Sequence, residues 1–372
     1  MDHKLKKYIN SKLADSRWIP HESPSKKKYD FLITIPCYDE LNYIKKTLES
    51  ISKQSIELLN KTLVSVTINN SNKENKTVRE NNRKTYEELI NVNYNFELII
   101  IDAYSKEKSI EEKNAGVGMA RKISVDACLN YLHPNSLISF IDADTTLSKN
   151  YLSQIYDSYK KNSWESATVG FEHDRDFSET IELIDEYENF LKTTASKIAA
   201  SGSPYNYVPL GSTMVSTFKS YIAVGGMNRK KAAEDFYFLQ ELEKYSGVYQ
   251  INEILVYPSS RYLNRTYLGT STRLKKCLDG ELDMKSFYYS NIAFDILSRW
   301  LSLALSSQEK DCNSILNNAS KINLELKNFL IDQNISKSWD SIISSPSNQH
   351  FINQFHRWFD GFKTLKLLKF FS

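Results

Sequence analysis

The chain has 372 residues, 41% hydrophobic and 25% charged, which suits one large globular domain or a core domain with an appendage. Lysine plus arginine exceed aspartate plus glutamate by only 48 to 45, a formal charge of +3. That argues against a dedicated nucleic-acid binder with its dense basic stripe, but leaves room for local patches that receive phosphate.

Residues 1–28 read as a polar lead-in that ends in SPSKKK and contains no apolar signal-peptide core. Four apolar runs follow: Phe31–Pro36, Leu63–Ile68, Phe96–Asp102 and Ser136–Asp142. Each is short, rich in β-branched residues and closed by polar ones, as strands buried on both faces are. Between the first two, Leu41, Ile44, Leu48 and Ile51 recur at helical spacing, with Asp39 as candidate N-cap. The very polar stretch NNSNKENKTVRENNRKTYEE predicts an exposed loop and helix.

Strands alternating with helices predict an α/β domain built on a largely parallel sheet, whose ligands bind outside the carboxyl ends of the strands. Those ends carry Pro36-Cys37-Tyr38-Asp39-Glu40, Asn69-Asn70-Ser71, Asp102 and Asp142-Ala143-Asp144.

Further along, Ile184, Tyr187, Leu191 and Ile198 form one helical stripe, SGSPYNYVPLGSTMV is loop-like, and EDFYFLQELEKY is again helical. Beyond about Leu278 only helices are expected. The most apolar of these, NIAFDILSRWLSLALSS, contains Asp295 and Arg299 and is too short to span a bilayer. The four cysteines, Cys37, Cys128, Cys277 and Cys312, are widely spaced with no C-x-x-C pair, so a reducing, cytoplasmic setting is expected.

Two carboxylates at i and i+2 at a strand end, Asp142 and Asp144, can share one hard cation such as Mg²⁺ or Mn²⁺, with a diphosphate filling other positions. On the motif alone, a second reading stands beside it: Asp144 or Thr145 capping a helix near Leu147, with Asp142 solvated. Asp174-Arg175-Asp176 has the same spacing but follows no buried strand, and reads as surface charge.

NAGVGMARK sets Gly116 and Gly118 before a helix carrying Arg121 and Lys122, which suits either close approach to a phosphate or an ordinary tight turn. Glu234-Asp235 opens a helix, either as dipole-favoured capping or as a carboxylate base at a pocket rim. Arg261, Arg265, Arg273 and Lys275 surround a small-residue loop that could close over a diphosphate or simply be solvated. No H-x-x-H or H-E-x-x-H pattern occurs, which excludes the common zinc-hydrolase signature.

The order of these motifs resembles the family 2 glycosyltransferases, inverting enzymes of the GT-A nucleotide-sugar fold. The family's I-P-x-Y-N-E is matched by Ile35-Pro36-Cys37-Tyr38-Asp39-Glu40, and its D-D/N-G-S by Asn69-Asn70-Ser71 with an amide in place of the acid. Its G-x-x-x-A-R-N is matched by Gly116-Val117-Gly118-Met119-Ala120-Arg121-Lys122, and its D-x-D by Asp142-Ala143-Asp144. Gly211-Ser212, Gly225-Gly226 and Glu234-Asp235 stand where the family has its Gly-rich acceptor-side segment, its Gly-Gly and its Glu-Asp.

The resemblance covers roughly Tyr29 to Tyr262. It implies a catalytic domain over 29–265, a mainly helical region over 266–372, and metal-dependent sugar transfer from a UDP- or GDP-sugar to a saccharide or lipid-linked acceptor. Under it, Asp144 and Asp142 hold Mn²⁺ or Mg²⁺, and Asp235 with Glu234 serves as the base. Pro36, Tyr38, Glu40, Asn69, Arg121 and Asp142 hold the donor nucleotide, with Asp102 an alternative base contact. Gly211 and Ser212 line the sugar and acceptor cleft, and Arg265 and Arg273 grip phosphate. Two rivals on related architecture are a non-catalytic nucleotide-sugar-binding protein and a nucleotidyltransferase. IPCYDELNY lacks the Gly-rich basic loop expected of the second. A C-terminal stripe of Ile352, Phe355, Phe359 and Phe362 beside Lys363, Lys366 and Lys369 would suit either an anionic membrane surface or packing against the catalytic domain.

Overall fold

The computed structural model describes residues 2–262 and 270–372. Its centre is a sheet whose strands are β1 Tyr29–Cys37, β2 Thr62–Asn69, β3 Glu97–Ala103, β4 Leu132–Phe140, β5 Thr146–Leu147, β6 Ser166–Phe171, β7 Met214–Thr217 and β8 Tyr249–Tyr257. Their order is β3-β2-β1-β4-β7-β6-β8-β5. The pairs β1·β2, β2·β3, β1·β4 and β6·β8 are parallel, while β4·β7, β6·β7 and β5·β8 are antiparallel. The mixed, mainly parallel α/β sheet expected from the four apolar runs is present. β1 and β2 are buried almost along their whole length, which is why they read as unbroken apolar runs.

Pro36 is tolerated in a central strand because it lies past the last β1–β4 pair, Thr34 with Phe140. No ladder bond is missed for want of its N–H. The chain then turns at Asp39, a non-glycine residue held at φ 59°. This corrects the expected N-cap: the helix runs Ile44–Ile51 from Tyr43, and Asp39 is a turn residue.

The second half of the sheet was hidden from the sequence. β6 and β8 are short or mostly exposed, and β7 emerges from the end of the stretch taken as loop. The lead-in is not loose either. Its helix Asp2–Ser11 brings Tyr8 onto the buried Lys122–Asp126 pair, and Asp126 also accepts the Ala14 N–H at 2.7 Å.

Two compact units divide the chain: Met1–Ile184 with Pro209–Asp279, and Asp185–Val208 with Gly280–Ser372. The first contains the sheet. The second is helical, with Trp300, Trp339, Phe351, Phe355 and Phe359 at the heart of its core. Of the C-terminal stripe, Phe355 and Phe359 are buried in this unit's own core, Ile352 packs against it partly buried, and Phe362 is exposed. Among the described residues no helix is long and apolar enough to cross a membrane.

Candidate active site

All the site geometry lies in the sheet-bearing unit, beyond the carboxyl ends of β1, β2 and β4. β4 ends at Phe140 and delivers Asp142 and Asp144 just past the sheet edge. The expected helix cap is not there. Thr146–Leu147 is the short strand β5 and the next helix starts at Tyr151, so neither Asp144 nor Thr145 caps it.

Asp142 is held on both oxygens. Arg121 Nη2 donates to Oδ1 at 2.5 Å and Ser212 Oγ donates to Oδ2 at 2.8 Å. The Ser212 hydroxyl in turn accepts the Asp142 N–H at 3.1 Å and meets Thr145 Oγ1 at 3.0 Å. Gly211 and Ser212 are therefore buried supports for Asp142. A Cβ on Gly211 would come within 2.1 Å of Arg121 Nη2, so only glycine leaves room for that guanidinium.

Arg121 is itself fully buried and reaches Glu234 through Nη1. Two charge-assisted contacts from one planar fork fix three elements together: the helix Val117–Asp126, the end of β4 and the helix Glu234–Ser246. Burial pushes the Glu234 and Asp235 carboxyls up from their ordinary values, and Arg121 opposes the rise in both. Asp235 follows Glu234 into the first helical turn, and its Oδ1 accepts the Phe236 N–H at 2.7 Å. The turn before them places Ala233 at φ 58°.

The glycines of the G-x-G face neighbouring backbone. A Cβ on Gly116 would lie 2.7 Å from Lys231 Cα, and one on Gly118 would lie 2.6 Å from Asn228 O. They admit the 228–231 backbone, which leads directly into Glu234, so close chain packing explains them.

A second arginine stands on the other carboxylate. Arg261 Nη2 lies 2.5 Å from Glu40 Oε1 and 2.6 Å from Asp144 Oδ2, with its Cζ stacked 4.1 Å from the Tyr43 ring centre. Ser260, just before it, is pinned on both sides. Its N–H and Oγ donate to Asp174 Oδ1 at 3.0 and 2.7 Å, and its carbonyl accepts from Thr180 Oγ1 at 3.2 Å. Asp174 is thus no idle surface charge, a correction to its reading from spacing alone. Arg273 lies in the helix Thr270–Leu278, and Arg265 falls outside the described residues.

At the β1 and β2 ends, Tyr38 donates to Glu74 at 3.0 Å and Asn82 joins the two loops. Its Oδ1 accepts the Asp39 N–H at 3.0 Å, while its Nδ2 donates to Asn69 O and Asn70 Oδ1 at 3.0 and 2.9 Å. Asn82 is fully buried, against the expectation of an exposed polar segment. Asn69 is buried too, and its Oδ1 has no hydrogen-bond partner among the described residues. Asp102, two strands away from β1, accepts the Tyr104 and Ser105 N–H groups and closes its own turn.

Among the described residues no group of three or more His, Cys, Asp or Glu side chains could hold a metal ion. The oxygens present nevertheless suit a hard cation. Mg²⁺ and Mn²⁺ accept one or two carboxylates when phosphate and water supply the remaining positions. Asp142 and Asp144 are the carboxylates that would offer those oxygens, each already in contact with an arginine.

No family model matches the chain, and no curated protein does. Solved structures do. Staphylococcus aureus TarS residues 1–349 is 12% identical, with 90% of this chain and 91% of that one covered and a TM-score of 0.43. The same protein in complex with UDP-GlcNAc gives 12%, 88%, 91% and 0.45. The mannosyltransferase PcManGT from Pyrobaculum calidifontis, in complex with GDP-Man and Mn²⁺, gives 13%, 96%, 94% and 0.41.

Proposed function

We propose that this chain is an inverting glycosyltransferase of the GT-A type, moving a sugar from a nucleoside diphosphate donor to an acceptor hydroxyl. The observation that carries the reading is that, among the described residues, Glu40, Asp142, Asp144 and Glu234 converge on Arg121 and Arg261 outside the ends of the parallel strands, with Asp235 next to Glu234. Such an excess of carboxylate at a ligand-binding sheet edge suits a site that handles a cation, a diphosphate and a proton. The ordered motif series from Ile35 to Asp235 supports it independently.

In this reading the acceptor oxygen attacks the anomeric carbon as the bond from that carbon to the diphosphate oxygen breaks. Asp235 takes the hydroxyl proton on Oδ2, since Oδ1 is engaged by the Phe236 N–H. Burial raises its pKa above the ordinary carboxylate value, the direction that strengthens a carboxylate as a base. Arg121 keeps Glu234 and Asp142 in register, so the base and the donor side hold fixed positions. Asn69, with its buried unpartnered Oδ1, would face the nucleobase. A divalent ion on Asp144, when bound, would neutralise charge on the leaving diphosphate.

A thermal-shift screen of UDP, GDP, ADP and CDP with Mn²⁺ tests the binding half, and release of nucleoside diphosphate from the matching sugars tests the chemistry. Asp235→Asn should keep the thermal shift and lose about 10²- to 10⁴-fold in turnover. A chain that none of the four nucleotides stabilises would sink the reading, and full turnover by the variant would sink the base assignment.

A further inference from the structure

Arg261 takes no part in the series of family-like motifs, yet it is placed with more care than any exposed loop arginine needs. The residue before it is tied to Asp174 through two donors and to Thr180 through its carbonyl. Its guanidinium stacks on Tyr43 and bridges Glu40 and Asp144 through one nitrogen. The other terminal nitrogen, Nη1, is buried without a hydrogen-bond partner among the described residues. A buried donor left unsatisfied is costly, and a charged fork with one spare tine suits an oxyanion that is still to arrive.

The same side chain occupies the carboxylates a cation would need. A divalent ion approaching Asp144 meets a fixed positive charge already in contact with Oδ2. At such separations like charges repel strongly even when screened by a protein's polarisability.

Building on the proposed donor site, we infer that Arg261 is the site's resident counter-cation. It neutralises Glu40 and Asp144 in the empty site, makes Mn²⁺ or Mg²⁺ bind weakly alone, and turns to the diphosphate when the donor arrives. Metal and nucleotide then strengthen one another, because the nucleotide draws off the charge that repels the metal.

The test is direct Mn²⁺ binding, read from the free-ion paramagnetic resonance signal, on the full chain without nucleotide. Arg261→Met should bind Mn²⁺ about tenfold more tightly than the unaltered chain, or better, since one fixed positive charge has gone. A merely structural role would give unchanged or weaker binding, and either result in a folded Arg261→Met chain overturns the inference. Should that variant fail to fold, Arg261→Gln decides. A glutamine carries no charge yet keeps a donor for one carboxylate, so it should also tighten Mn²⁺ binding, and unchanged affinity rejects the idea. UDP and GDP binding is measured alongside. Its failure would count against the proposed donor site, while the comparison of Mn²⁺ affinities would still decide the role of Arg261.

Discussion

Glycine at 118 is decided by a neighbouring backbone. A Cβ there would meet Asn228 O at 2.6 Å, Lys230 O at 2.9 Å and the Glu234 Cβ at 3.0 Å. Two of the three contacts are carbonyl oxygens that move only with their chain, so Gly118→Ala must displace the turn that carries Glu234 and Asp235. Overpacking of this kind costs about 1–3 kcal/mol. The variant should therefore melt earlier and turn over more slowly while holding nucleoside diphosphate almost as before. A phosphate cradle would behave in the opposite way, losing nucleotide affinity first, so calorimetric binding next to a melting curve separates the two. The residue types were readable in the sequence, but the glycine's partner was not. Asn228 lies 110 positions away, and nothing in the G-x-G spacing records what approaches it. Arg121 is the same case. Its place at the start of a helix suggested an anion outside the protein, whereas the anions it holds are Asp142 and Glu234.

At the level of elements, legibility followed burial. β1 to β4 announced themselves because both faces are covered, so hydrophobic runs stood out against polar flanks. β8 was missed because it is exposed along much of its first six residues, and β7 because four residues after a Gly/Pro-rich stretch carry no period of their own. The helix Glu234–Ser246 was seen, yet the chemistry at its far end was not. Glu243 sits in its last turn, where the helix dipole already disfavours negative charge, and accepts the Val248 N–H at 2.7 Å. Burial pushes its carboxyl up from 4.5 to about 7. The folded state thus holds this proton more tightly than the unfolded chain does. Stability from this group is complete below about pH 4.5 and is lost as pH rises towards 7, by up to roughly 3 kcal/mol. Glu243→Gln keeps the acceptor and discards the charge. It should raise the melting temperature at pH 8 and flatten the fall between pH 5 and 7, and an unchanged pH profile would refute the assignment.

On the scale of the whole chain, the two units carry opposite pH signatures. In the sheet-bearing unit Asp126, Glu234, Asp235 and Glu243 are all acids raised by burial, so these four groups weaken that unit as pH climbs from acid to neutral. The helical unit holds His356, whose ring is pushed down from 6.5 to about 4 by burial alone. Its Nδ1 has no hydrogen-bond partner among the described residues, so no acceptor rewards protonation. For this group the sign reverses. The unfolded histidine gains a proton first, so stability is full above about pH 6.5 and drains away as pH falls towards 4. Each unit has its own core, and scanning calorimetry of the full chain should resolve two transitions. Between pH 7.5 and 5 the transition of the helical unit should move down and that of the sheet unit should move up. His356→Gln should hold the first steady through the acid range and leave the second untouched, while Glu243→Gln should blunt only the second. Two transitions that shift together, or a His356→Gln chain as acid-sensitive as its parent, would show that these buried groups do not govern the response. Such a result would move the search to the surface carboxylates that both units share with the unfolded chain.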